Sequence, residues 1–156
     1  MSISVGQTAP AFKLFATDKK EVSLADFQGR NVVVLFFPLA FTSVCTAELC
    51  SVRDDIGAYN NLNAQVIGIS VDTLFTLDRY KTEQNYNFPL LSDFNKEISE
   101  AYGALYETFG FGMKGVSKRA AFVIDKNGIV RYAEVLESAG NIPDFIAIKA
   151  VLATLD

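Results

Sequence analysis

The sequence predicts an α/β fold, with a mixed central sheet flanked by helices and a β-hairpin at the N-terminal end. Three observations predict it. Two runs of β-branched and aromatic residues, Asn31 to Phe37 (NVVVLFF) and Gln65 to Val71 (QVIGISV), are too short for helices and too apolar for surface strands. Between them lies a stretch with capping residues and apolar positions at helical spacing, so the order is strand, helix, strand. Near the C-terminus, Asn127-Gly128 sits between two further strand-like segments, a strong signal for an antiparallel hairpin.

Each element follows in order. Phe12 to Ala16 and Glu21 to Leu24 alternate weakly around the turn-like Thr17-Asp18-Lys19-Lys20, which predicts the small hairpin. Pro38 ends the first buried strand. Thr42-Ser43 suits a helix N-terminus and Glu48 lies early in the helix, which the spacing of Val44, Leu49, Val52, Ile56 and Tyr59 carries from Ser43 to Leu62. After the second buried strand, Thr73 to Asn85 reads as a polar-faced helix, Phe88 to Leu91 as a short strand and Lys96 to Tyr102 as a short helix. Gly103 to Ser117, rich in glycine and aromatics, reads as irregular. Arg119 to Ile124 and Ile129 to Leu136 are the hairpin strands about the turn Asp125 to Gly128, and Pro143 starts a last helix ending near Leu155.

Composition narrows the chemistry. The 156 residues fit one domain, 1–156, with no repeat, linker or low-complexity tract. With 50% apolar and 21% charged residues, the chain has the balance of a globular protein. No apolar run approaches the roughly 20 residues needed to span a membrane. A net charge of −4 without a basic cluster argues against a nucleic-acid partner. The N-terminus lacks the basic start and apolar stretch of a secretory signal, so the chain as given reads as cytoplasmic. There is no histidine and there are two cysteines, Cys45 and Cys50. Triads built on histidine and imidazole-ligated metals are thereby removed, and two thiolates alone make a poor zinc site. Neither a metal nor an organic cofactor is expected.

Cys45 follows a buried strand and falls in the first turn of a helix. Unpaired backbone N–H groups and the positive end of the helix dipole favour a thiolate there. With no imidazole as base, hydroxyl and arginine donors must supply the rest. Thr42, three residues earlier, can reach the sulfur with its hydroxyl. Pro38 shapes the loop and excludes solvent. Arg119, at the start of a strand, and Arg53, later in the same helix, are the candidate cations. A thiolate acting as a nucleophile needs one partner for its own charge and another for the charge growing on the leaving group.

The segment Pro38-Leu39-Ala40-Phe41-Thr42-Ser43-Val44-Cys45 resembles the peroxiredoxin signature, in which proline, threonine and the reactive cysteine keep this spacing. The resemblance extends over nearly the whole chain, through Gly6 to Phe12, Val33 to Phe37, Phe88 to Asp93 and Arg119 to Asp125. Phe36 to Thr42 looks most like the E-type alkyl hydroperoxide reductases. The resemblance implies a thioredoxin-like fold and a thiol peroxidase acting on hydrogen peroxide and organic hydroperoxides. It makes Cys45 the peroxidatic cysteine, passing through a sulfenic acid. Thr42 and Arg119 would hydrogen-bond peroxide and thiolate, Pro38 would shield the pocket, and Glu48 would organise the site. It further implies a homodimer, recycled by thioredoxin, a glutaredoxin-like protein or another dithiol reductant.

Cys50, five residues on, is spaced like the resolving cysteine of the bacterioferritin-comigratory type, which the E-type enzymes usually lack. Five residues along a helix leave the two Cα atoms about 8–9 Å apart, whereas a disulfide needs less than about 7 Å. Either the helix opens and Cys50 resolves the sulfenic acid, or Cys50 is an inert buried residue and an external thiol attacks directly.

Plainer roles stand beside the others. Thr42 can be a helix cap, Arg119 a surface strand residue, Glu48 a partner of the helix dipole, and Arg53 a structural ion pair with Asp54 or Asp55. The aromatics Phe36, Phe37, Phe41, Phe109 and Phe111 suit core or rim, with those near Phe41 and Tyr106 to Phe111 placed at a dimer contact by analogy. A disulfide reductase would normally space its cysteines two apart, a copper carrier on this fold would want histidine, and a redox sensor or holdase remains a possible second role.

Overall fold

Polar backbone groups in the middle of a fold must pair, and here they do so through one seven-stranded sheet. A computed structural model describes residues 3–155; Met1, Ser2 and Asp156, the ends of the expected 1–156 unit, lie outside the described residues. In chain order the elements are β1 (Lys13–Ala16), β2 (Glu21–Ser23), β3 (Asn31–Phe36), α1 (Ser43–Asp54), α2 (Ile56–Asn61), β4 (Ala64–Ser70) and α3 (Leu74–Gln84), then β5 (Leu90–Ser92), α4 (Glu97–Ala101), β6 (Arg119–Ile124), β7 (Val130–Leu136) and α5 (Phe145–Ala153). The sheet order is β2-β1-β5-β4-β3-β6-β7. β3, β4 and β5 run parallel, while β6 and β7 on one side and β1 and β2 on the other are antiparallel. This is the expected mixed α/β sheet.

Every residue of β3 and β6 is buried, in keeping with the nearly continuous apolar run of β3, while β6 opens on the buried Arg119. Alternation along β3 divides the core in two. Val33, Leu35 and Phe37 pack with Cys45, Leu49 and Val52 of α1, Leu77 and Tyr80 of α3 and Ile148 of α5. Val32, Val34 and Phe36 face the other way, onto Phe12, Tyr102 and Phe122.

Several boundaries differ from expectation, each for a local reason. The predicted single helix from Ser43 to Leu62 breaks at Asp55, whose φ of −114° and ψ of 16° leave the helical region. The Asp55 carboxylate instead accepts a hydrogen bond from Lys149 Nζ at 2.6 Å. The apolar spacing continues across the break through Ile56 and Tyr59, which hides it in the sequence. The strand expected at Phe88 to Leu91 pairs as β5 two residues later, because Pro89 has no N–H to give the ladder and serves only as acceptor for Gly68 N–H at 2.9 Å. α5 starts at Phe145, with the Asp144 carboxylate capping Ala147 N–H at 3.0 Å, so Pro143 precedes the helix and does not open it. Leu24 leaves the hairpin for a 3-10 turn, Leu24–Phe27. Gly103 to Ser117 is irregular as expected, apart from a one-turn 3-10 segment and a bridge between Leu105 and Ser117. Gly128, with φ of 83°, supplies the left-handed residue that the β6–β7 turn requires.

Candidate active site

The site forms where β3 hands over to α1. Phe37 N–H still bonds to Ile69 O at 3.0 Å, and the buried Pro38 then ends the ladder. The loop turns back through Phe41, whose φ of 67° is unusual for a bulky residue. Two bonds hold it: Ala40 N–H donates to Asp72 Oδ2 at 2.8 Å, and Thr42 Oγ1 donates to Leu39 O at 2.8 Å. The Phe41 ring, half exposed, lies 4.9 Å from that of Tyr80. Thr42 is the N-cap residue of α1, and the first helical bond runs from Thr46 N–H to Thr42 O at 3.0 Å. The amides of Ser43, Val44 and Cys45 therefore precede the helical ladder, at the positive end of the dipole. Cys45 is 1% exposed.

The sheet brings the cation. β6 is antiparallel to β3 with Ala120 opposite Phe36, so Arg119, one residue earlier, arrives at the edge where Cys45 sits. Arg119 Nη1 donates to Cys45 Sγ at 3.3 Å and to Glu48 Oε1 at 2.7 Å, and Nη2 donates to Ala139 O at 3.0 Å. Arg119 and Glu48 are 1% and 0% exposed. Burial pushes the Glu48 carboxyl up to about 7, against the opposing pull of Arg119. Arg119 is held above its ordinary value, the neighbouring Cys45 and Glu48 outweighing its desolvation. Glu48 Oε2 and Arg119 Nε are buried without a hydrogen-bond partner. A buried pair with open valences repays its desolvation poorly, so stability alone does not explain it.

The expected site residues divide. Arg119 contacts both Cys45 and Glu48, and Pro38 is buried in the adjoining loop. Thr42 lies on the same turn but spends its hydroxyl hydrogen on Leu39 O, so it neither caps α1 through its side chain nor donates to the sulfur. Arg53 is turned elsewhere: Nε bonds to Asp54 Oδ1 at 2.9 Å and Nη1 to Gln84 O at 2.6 Å, the structural alternative. Cys50 is a free, half-buried thiol donating to Gln84 Oε1 at 3.5 Å and to Tyr86 Oη at 3.8 Å. Sequence reading missed Asp72 and Ala139 at the site, and Tyr80 and Tyr86, whose hydroxyls bond to Thr46 and Cys50 of α1 and not to Cys45. Asp72 had a signal, since it follows the C-terminal end of a buried strand parallel to β3, the edge where α/β proteins build sites. The others depend on tertiary placement alone.

Chemically, a buried sulfur with a guanidinium donor at 3.3 Å, on a helix N-terminus, is equipped to hold a thiolate and a developing oxyanion side by side. Among the described residues no group of three or more histidine, cysteine, aspartate or glutamate residues is placed to hold a metal. No helix there is long and apolar enough to cross a membrane.

Comparison with known proteins agrees with this chemistry. The profile of the AhpC/TSA family matches residues 5–133. Alkyl hydroperoxide reductase E of Mycobacterium tuberculosis is 37% identical over 145 residues, covering 91% of each chain. A mouse mitochondrial thioredoxin-dependent peroxide reductase is 37% identical over 142 residues, which are 85% of this chain and 53% of the mouse protein. The crystal structure of the peroxidoxin BcpB from Mycobacterium tuberculosis superposes with a TM-score of 0.86 at 26% identity, over 99% of both chains.

Proposed function

The chain belongs to the AhpC/TSA family and is a peroxiredoxin, a thiol-dependent peroxidase; from that premise we propose that Cys45 is its peroxidatic cysteine and Cys50 its resolving cysteine. The contact of Arg119 Nη1 with Cys45 Sγ at 3.3 Å, at the start of α1, carries this reading. The Cys45 thiolate attacks the distal oxygen of a hydroperoxide, the O–O bond breaks, and the departing alkoxide or hydroxide takes a proton. The sulfur is left as a sulfenic acid. Arg119 donates to the thiolate beforehand and to the developing charge during attack. Glu48 keeps Arg119 in place, Pro38 walls the loop, and Thr42 presents its oxygen at the helix entrance.

In the second half-reaction the Cys50 thiol displaces water from the sulfenic acid to give a disulfide, and a dithiol protein of the thioredoxin kind reduces it. The name of the mouse relative supports that class of reductant. The half-exposed Phe41 and the exposed Phe111 suit a homodimer contact beside the site, and two free thiols suit a reducing, cytoplasmic compartment.

The reduced protein mixed with one equivalent of hydroperoxide tests this directly. The expected result is loss of both thiols and a mass decrease of about two hydrogens; the variant Cys50→Ser should instead gain about one oxygen at Cys45. A fast reaction that survives Cys45→Ser overturns the assignment, and a wild-type protein that stops at the sulfenic acid overturns resolution by Cys50.

A further inference from the structure

One face of α1 is tied to the end of α3. Thr46, Cys50 and Arg53 are spaced as i, i+4 and i+7, so they form a stripe along a single side of the helix. Thr46 Oγ1 shares a hydrogen bond with Tyr80 Oη at 2.9 Å. Cys50 Sγ reaches Gln84 Oε1 and Tyr86 Oη, and Arg53 Nη1 reaches Gln84 O. The Tyr80 and Tyr86 rings meet edge-on at 5.1 Å, and burial pushes both hydroxyls above the ordinary phenol range. Asn85, with φ of 55°, ends α3 in a left-handed cap and folds Tyr86 back against this face. Cys45 and Glu48, by contrast, face Arg119.

Two buried hydroxyls in an aromatic cluster need a reason. Tyr80 is 0% and Tyr86 4% exposed, among Phe37, Phe41 and Phe88. Phenylalanine would fill the same volume without a polar group to desolvate. The α1 groups these hydroxyls bond are Thr46, one residue after the reactive cysteine, and Cys50 itself.

Resting on the reading that Cys50 resolves Cys45, we propose that Tyr80 and Tyr86 are positioning residues that latch the first turns of α1 onto α3 and set how fast the helix opens for disulfide formation. A disulfide requires the turn between Cys45 and Cys50 to unwind. Unwinding lifts the Thr46–Cys50 stripe off α3 and breaks both tyrosine contacts. Once open, the Cys50 sulfur bonds to the Cys45 sulfur, the S–O bond breaks, and the hydroxyl leaves with the Cys50 proton as water. While the latch is closed, the sulfenic acid waits. A second hydroperoxide can then oxidise it to the sulfinic acid, leaving as alcohol or water. The latch therefore sets the peroxide level at which the enzyme is lost to overoxidation.

Tyr80→Phe and Tyr86→Phe test this, because each keeps the ring and removes only the hydroxyl. Rapid quenching with an alkylating agent and mass analysis separate sulfenic-acid formation from disulfide formation. In each variant sulfenic-acid formation should stay within about twofold of wild type, while disulfide formation speeds up about fivefold, the factor expected for one net hydrogen bond. The sulfinic fraction at excess peroxide should fall in proportion, and amides from Cys45 to Cys50 should exchange hydrogen faster. Disulfide formation at the wild-type rate in both variants overturns the latch and leaves resolution by Cys50 standing. No disulfide in the wild type removes the reading beneath it, and the latch with it.

Discussion

Arg119 donates through one nitrogen to both Cys45 and Glu48, so two acidic groups share a single buried cation. When Glu48 is ionised it competes with the Cys45 thiolate for that charge, and when protonated it leaves the charge to sulfur alone. The sign of the linkage is definite. Burial raises the folded Glu48 carboxyl from 4.5 to about 7. Its contribution to stability is then full below the unfolded value and is lost as pH rises through the folded one. Glu48→Gln removes this titration while keeping an oxygen to accept from Arg119. Urea unfolding should show the stability of the variant relative to wild type rising between pH 4.5 and 7.5, by on the order of 3 kcal/mol, the size of such a shift. A constant difference across that range would mean that Glu48 stays ionised throughout and never frees Arg119.

At the scale of elements, the loop from Pro38 to Thr42 joins β3 to α1, and its shape depends on β4. Phe41 sits at a φ of 67°, a conformation costing a bulky residue about 1 kcal/mol or more. Asp72, just past the end of β4, holds the preceding Ala40 amide and is itself held by Ser70 Oγ at 2.6 Å. Asp72→Ala should therefore lower the rate of thiol oxidation by peroxide about tenfold and stability by about 2 kcal/mol. Asp72→Asn, which keeps an acceptor, should recover most of the rate; equal loss in both variants would assign Asp72 to charge and not to loop geometry. This pairing also shows where sequence reading stops. Cys45 and Arg119 were legible because a buried strand, a helix start and a second strand each left a trace in the sequence, whereas Glu48 joined the expected site only through the family resemblance. Asp72, Tyr80 and Tyr86 act across elements, through contacts that no single periodicity encodes. The break at Asp55 was hidden for a related reason, since Val52, Ile56 and Tyr59 keep their spacing while the backbone bends to meet Lys149.

For the whole molecule, the resolving role proposed for Cys50 would set the chemistry against the fold. α1 covers one face of the sheet with Leu49, Val52 and Cys45, all within 2% of full burial. If Cys45 and Cys50 form the proposed disulfide, helix geometry requires the N-terminal part of that cover to unwind, which would leave Arg119 and Glu48 without their surroundings. The short loop that the disulfide closes restrains the unfolded chain by about 2 kcal/mol. Exposing Leu49 alone forfeits about 1.5–3 kcal/mol, before the disturbed ion pair and the freed helix bonds are counted. The oxidised protein should accordingly be less stable than the reduced one by a few kcal/mol, a drop in Tm of about 5–10 °C for a chain of this size. Calorimetry of the disulfide form against the reduced form measures the difference, with oxidised Cys50→Ser as the control that keeps α1 folded. Hydrogen exchange locates it: faster exchange should be confined to α1 and the end of α3, while β3, β4 and β6 stay protected. An oxidised form as stable as the reduced one would mean that the disulfide is accommodated without opening α1, against the helix geometry that separates the two cysteines.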